Sequence, residues 1–203
     1  MQNKIDDFQT IALFDFDGTI TTKSTTTPFL KFISGPTFFL KLLPKLPNLV
    51  GYQIHLTDLH QLNTSIAQTF FKGLSREFLY EEGEKFSTQI IPSLVKNTAY
   101  KRIKWHKEQG HYCILATAAF NIYIDYWAKM NGFDDLVSTK ICFNTQGLAT
   151  GNLDGQSCYG AEKLKRVLEL IGTQSRLIYA YGDSSGDKAI LDYATYPYYK
   201  IFK

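Results

Sequence analysis

The sequence predicts an α/β protein: a Rossmann-like, doubly wound, mostly parallel sheet interrupted near its start by an inserted block of helices. Three observations predict it. A short apolar run, IALF at 11–14, breaks off at Asp-Phe-Asp-Gly-Thr. Strand signals then vanish between Pro28 and Pro92, where apolar residues recur at helical spacing and prolines punctuate the pattern. Beyond Pro92 strand and helix patterns alternate to the last residues, as they do in open parallel sheets.

The run at 11–20 reads as a buried strand ended by a turn at Asp-Gly. A polar stretch, TTKSTTT at 21–27, leads into the helical block, whose segments are PFLKFI, LTDLHQLNTSIAQTFF and REFLYEEGEKFSTQII. A helix is expected over 93–109 with Gly110 as its stop, then a strand over 111–117, HYCILAT. A helix over 121–131, a short strand over 135–139 and a hairpin over 145–151 follow. GAEKLKRVLELIG at 160–172 has helical periodicity, RLIYAY at 176–181 is a strand, 188–193 a helix, and TYPYYKIF at 195–202 a last strand. The expected division is a discontinuous core of 1–22 and 93–203, with a helical cap over 23–92. No internal repeat is visible.

Composition narrows the function. A net charge of +3 from 22 basic and 19 acidic residues, with only four arginines and no basic stripe interleaved with aromatics, argues against a nucleic-acid partner. Three cysteines (Cys113, Cys142, Cys158) with no C-x-x-C spacing, and no H-x-x-x-H pattern, argue against zinc and read as reduced thiols. The polar start and the lack of an apolar run of ~18 residues predict a cytoplasmic protein.

The chemistry is carried by acids. Side chains at i and i+2 of an extended strand leave on one face, so Asp15 and Asp17 should project together while Phe16 turns to the core. Asp183 and Asp187, in Y-G-D-S-S-G-D, follow another apolar run. Parallel strands ending on one edge would gather these acids where such sheets place ligands. Carboxylates about 4.5 Å apart repel by ~3–4 kcal/mol at an effective dielectric near 20. Such a cluster calls for a cation, and oxygen donors without imidazole or thiolate indicate Mg²⁺. An EF-hand is excluded because its glycine and glutamate positions hold Ile20 and Thr26.

These motifs resemble the haloacid dehalogenase superfamily, specifically subfamily IB, the phosphoserine-phosphatase-like members with a helical C1-type cap after the first motif. Asp15–Thr19 (DFDGT) is similar to the first motif, Thr117 to the second (often Ser in relatives), Lys163 to the third, and Gly182–Asp187 to the fourth. The resemblance spans nearly the whole chain. It implies a phosphatase of small phosphomonoesters in which Asp15 is the nucleophile and Asp17 the acid–base partner. It further implies Mg²⁺ held by Asp15, the Asp17 backbone carbonyl and Asp183, with Asp187 orienting the others. Thr117, the Ala118 amide and Lys163 would bind the phosphoryl group.

Two substrate positions depart from the phosphoserine phosphatases. Ser24 stands where they carry a glutamate for the amino group, and Ala67 aligns near their cap arginine for the carboxylate. A buried unpaired charge is costly, so phosphoserine is not the expected substrate. The apolar segment 29–52 resembles caps of relatives that act on lipid-linked phosphates such as phosphatidylglycerophosphate. If exposed, it predicts peripheral membrane contact; if buried, it packs the cap. A silent binding module and a phosphotransferase are the competing classes, and a base at Asp17 favours hydrolysis over simple phosphotransfer. Lys163 taken alone, beside Lys165 and Arg166, reads as a solvated helix residue.

Overall fold

Residues 5, 8–43, 58–172 and 174–203 are described in the computed structural model. The strands are β1 (Thr10–Phe14), β2 (Tyr112–Phe120), β3 (Asp135–Thr139), β4 (Ile141–Phe143), β5 (Ala149–Leu153), β6 (Leu177–Gly182) and β7 (Tyr196–Tyr199). The helices are α1 (Thr26–Ser34), α2 (Phe38–Leu42), α3 (Leu59–Ile66), α4 (Arg76–Gln89), α5 (Asn97–Glu108), α6 (Asn121–Met130), α7 (Gly160–Ile171) and α8 (Lys188–Tyr193). A wide turn over Ala67–Phe71 prolongs α3.

Five strands form one sheet in the order β3-β2-β1-β6-β7, every pairing parallel. The two-residue period of β1 sorts its side chains between the two faces. Ala12 and Phe14 join Ala99 and Ile103 of α5 and Ile122 of α6 in one core, while Ile11 and Leu13 join Val167 and Ile171 of α7 and Ile190 of α8 in the other. This is the doubly wound arrangement the alternating pattern predicts.

Three boundaries differ from the sequence expectation, the simplest being the last strand, β7, which ends at Tyr199 rather than 202. Helix α5 starts at Asn97 rather than 93, because Ile91–Ser93 makes a tight turn around Pro92 and Val95 then bridges to Thr21. Strand β2 runs past Thr117 to Phe120, with its register against β3 shifting between Ala116 and Phe120. Burial of Ala119 and Phe120 keeps those residues extended.

Residues 26–42 and 59–89 are mostly helical, and three junctions among others join them to the rest of the molecule. Gly83 of α4 meets α6 so closely that an added Cβ would fall 1.8 Å from the Ile122 carbonyl oxygen, and the Ser87 hydroxyl donates to the Tyr123 carbonyl at 2.7 Å. The antiparallel β4–β5 hairpin accepts the chain that follows the wide turn: Gly73 N–H donates to Ala149 O and Ala149 N–H to Leu74 O, both at 2.8 Å. Finally, the two chain crossings pair with each other, Thr22 N–H to Leu94 O at 2.8 Å and Lys96 N–H to Ile20 O at 2.9 Å.

Of the apolar segment 29–52, Phe29, Leu30 and Phe38 are buried, whereas Phe39, Leu40 and Leu43 are exposed; 44–52 lie outside the described residues. No helix among the described residues is long and apolar enough to cross a membrane.

Behind the sheet, His106 of α5 is fully buried against Tyr181 of β6. Its Nε2 lies 2.8 Å from the Tyr181 hydroxyl and its Nδ1 2.7 Å from Nδ1 of His111. The Tyr181 ring stacks between Phe14 at 4.6 Å and Tyr198 at 4.9 Å. Burial pushes the His106 imidazole down to about 3.

Candidate active site

The carboxyl ends of β1, β2 and β6 converge, and the expected acids meet there. Extended backbone continues from β1 through Asp15, so Phe16 turns inward against Trp127 while Asp15 and Asp17 face a common cavity. Gly18 then reverses the chain with φ +82°, a conformation that side chains rarely adopt. A Cβ there would also lie 2.4 Å from an Asp183 oxygen, so a glycine lets the β1 loop touch the β6 loop. Lys96 Nζ holds the Gly18 carbonyl at 2.6 Å.

Asp15, Asp183 and Asp187 each offer an oxygen within 4.8 Å of the others. Lys163 sits among them, 2.9 Å from Asp15 Oδ1 and 2.6 Å from Asp187 Oδ1. Lys163 is not the solvated helix residue it resembles when taken alone: it is 1% exposed, in the cluster where the family motif would put it. It shares a stripe with Val167 and Ile171 on the buried face of α7, and this four-residue phase was the signal in the sequence.

Burial and the neighbouring Asp187 push the Asp15 carboxyl up to about 7 even though Lys163 opposes them. Burial alone would lower the Lys163 ammonium, but Asp15 and Asp187 outweigh it and hold the pKa above the ordinary value. For Asp187 burial is likewise overcome, by Lys163 and by hydrogen bonds from Ser184, and its pKa falls. Burial raises Asp183, and Asp187 adds to the rise.

Hydrogen bonding divides these acids. Asp187 Oδ2 accepts from the amides of Asp183 and Ser184 and from the Ser184 hydroxyl, so both its oxygens are engaged. Among the described residues, the Asp183 carboxylate accepts only from the Thr19 hydroxyl at 3.2 Å, and that of Asp15 only from Lys163. Asp15 and Asp183 therefore keep free lone pairs. Three carboxylates share one buried ammonium, and an all-oxygen donor set of that kind fits a hard divalent cation such as Mg²⁺.

Asp17 is held differently. Thr25 donates to its Oδ1 twice, from the amide at 2.9 Å and the hydroxyl at 2.6 Å, and Ser24 reaches Oδ2 at 3.2 Å. The Thr25 hydroxyl also lies 3.1 Å from the Tyr123 hydroxyl of α6. Burial raises the Asp17 pKa against these bonds, which favours a proton-carrying form.

A cavity of about 160 Å³ opens over Asp15, Asp17 and Lys163. Thr117 and Ala118 line it where β2 loses register with β3, and the Thr117 oxygen accepts from Ala119 N–H at 3.1 Å, leaving its hydroxyl proton available. Ser24 lines it as well, but Ala67 is buried in the apolar core. Sequence reasoning missed Leu59 and Asn63, which α3 brings to the cavity wall. Their i, i+4 spacing on one helix face was the only signal available.

A Rossmann-like sheet with an acid cluster and buried lysine at its carboxyl edge defines the class, and the comparisons agree. Residues 12–192 match the family of haloacid dehalogenase-like hydrolases, and the chain belongs to it. Among individual proteins, it is 31% identical over 193 residues to protein CicA of Caulobacter vibrioides, covering 95% of this chain and 86% of that protein. The crystal structure of a protein of unknown function from Bordetella pertussis Tohama I shares the fold with a TM-score of 0.82 at 22% identity, covering 94% of this chain and 89% of that one. A phospho-aspartyl intermediate analogue of phosphoserine phosphatase aligns with a TM-score of 0.58 at 18% identity over 92% of this chain and 84% of that one.

Proposed function

We propose that the chain is a phosphatase of phosphomonoesters that turns over through a phosphoryl group carried on Asp15. The observation that supports this best is the Asp15 carboxylate itself. One of its oxygens is fixed by Lys163 and the other is free, facing a cavity that Asp17, Thr117 and Ala118 share.

In the first step a free Asp15 oxygen attacks phosphorus, and the bond from phosphorus to the alcohol oxygen breaks. Asp17, whose raised pKa favours the acid form, gives its proton to the departing alkoxide. In the second step water attacks the aspartyl phosphate, Asp17 takes the proton from that water, and the bond from Asp15 to phosphorus breaks to release phosphate. The Thr117 hydroxyl and Ala118 amide serve as donors to phosphoryl oxygens, and the Lys163 ammonium offsets charge on Asp15 and on the phosphoryl group. Mg²⁺ on Asp15, the Asp17 carbonyl and Asp183 would neutralise phosphoryl oxygens, with Asp187 holding Lys163 and the Asp183–Ser184 backbone in place. Because Ser24 lines the cavity where phosphoserine phosphatases carry a glutamate for the amino group, the substrate is a different phosphomonoester.

Phosphate release from p-nitrophenyl phosphate tests the reading. Activity is expected with Mg²⁺, to be lost in EDTA, and to fall on the order of 10³-fold or more in Asp15→Asn, since an amide cannot act as nucleophile. Acid quenching during turnover should trap a phosphorylated chain in the wild type and none in that variant. Full turnover by Asp15→Asn would refute the mechanism.

A further inference from the structure

We infer that Asn63 is a specificity-determining residue that hydrogen-bonds the leaving group, and that this group is a short neutral alcohol bearing further hydroxyls. The inference rests on the phosphatase reading above and adds the class of substrate.

Asn63 is 5% exposed and lies in the wall of the cavity over Asp15. One arm of its amide is tied to the Ser157 hydroxyl at 3.1 Å. The amide oxygen meets no partner among the described residues and is not among the sealed polar atoms, so it stays open to a ligand in the cavity. The tether also fixes the amide from both sides of the site. Ser157 belongs to the loop before α7, its amide donates to His60 of α3 at 3.3 Å, and Asn63 stands one turn further along that helix. The free arm is thus held in position before any ligand arrives, which is what discrimination by a single hydrogen bond requires.

The remaining surroundings choose the ligand chemistry. Beyond Asp15, Asp17 and Lys163, the described lining carries no charged side chain, so an ammonium or carboxylate on the leaving group meets no further counterion among the described residues. The neutral hydroxyls of Ser24, Thr26 and Ser184 and the Asn63 amide can all exchange hydrogen bonds with an alcohol. Leu59, one turn before Asn63, is the one aliphatic side chain longer than alanine among the described lining residues, and with the Tyr159 ring it can cover a short carbon skeleton.

The test compares glycerol 3-phosphate with n-propyl phosphate, which has the same carbon skeleton without the hydroxyls, and with phosphoserine. The wild type should prefer glycerol 3-phosphate over propyl phosphate by about tenfold or more in kcat/KM, with phosphoserine poorer than glycerol 3-phosphate. In Asn63→Leu that ratio should fall toward one, and in Asn63→Ser to an intermediate value. A ratio measured on one preparation does not depend on the fraction that folds. Equal turnover of the two skeletons by the wild type, a ratio unchanged in Asn63→Leu, or a preference for phosphoserine would each overturn the inference while leaving the phosphatase reading intact. Absence of phosphate release from all three and from p-nitrophenyl phosphate would instead overturn that reading, and this inference with it.

Discussion

Two polar clusters are buried in this molecule, one on each side of β6, and they are built on opposite rules. Around His106 the hydrogen bonds close on one another, imidazole to imidazole and imidazole to phenol, and the single charge at the edge, the Arg102 guanidinium over the Tyr181 ring, has no buried carboxylate beside it among the described residues. Around Lys163 the groups are charged and do not balance, with three carboxylates facing one ammonium and free lone pairs left on Asp15 and Asp183. A buried cluster that satisfies itself can stand as structure alone. One that keeps an excess of charge is stable only in company, and its missing partner is the clue to function.

The largest way to break the contrast is to remove the buried ammonium. Lys163→Met leaves Asp15 and Asp187 buried and facing each other. It should cost about 3–5 kcal/mol of stability at neutral pH, as breaking a buried pair does. Urea unfolding would measure this, and the loss should shrink on acidification, when the carboxylates take up protons. An equal loss at pH 7 and pH 5 would mean that the lysine contributes packing rather than charge.

Next in size is the pH dependence of the metal-free protein, where the clusters should pull in opposite directions. An unfolded imidazole binds a proton below about 6.5, but His106 in the fold resists until about 3. Acidification through that window therefore removes stability, by up to about 2 kcal/mol between pH 6.5 and 5. Asp15 binds its proton below about 7 in the fold, whereas an unfolded aspartate waits until about 3.9, so the same acidification adds stability. In EDTA, His106→Phe should lose the acid penalty and Asp15→Asn should deepen it. Parallel pH profiles for both variants and the wild type would contradict the assignment. The smallest effect is expected from Tyr181→Phe, which deletes one hydroxyl from the self-satisfied cluster and should cost about 1 kcal/mol, with phosphatase turnover as the control for the other cluster.

The order of strands and helices in the sheet domain was legible because each obeys its own period, and the alternate burial of Ile11, Ala12, Leu13 and Phe14 is that rule in space. The acids were legible because parallel strands must end on one edge. Lys163 was half legible: its motif pointed to it, but its composition as a charged residue argued for solvent, and only its phase with Val167 and Ile171 predicted burial. Asn63 was not legible. Its place in the cavity depends on how α3 docks against Ser157, a tertiary contact between segments 94 residues apart that leaves no local mark. The α5 start was missed for the same kind of reason, since residues 94–96 were taken up by pairing with the distant 20–22 segment.

That pairing has an evolutionary side. The segment between Thr22 and Leu94 leaves the sheet domain and returns to it at one stitched point, so to the rest of the chain it is a very long loop with adjoining ends. Closing a loop costs little more as it lengthens, and the strands on either side neither gain nor lose a neighbour when its contents change. Such an arrangement lets the segment be exchanged like a cassette, with new walls for new substrates, while Lys96 on its return arm still grips the Gly18 carbonyl. What an exchange must retain is small: the stitch itself, a narrow residue where Gly83 meets Ile122, and an edge for the β4–β5 hairpin to hold. Diversity within a lineage built this way should collect inside the stitch, and the acids outside it should outlast many changes of diet.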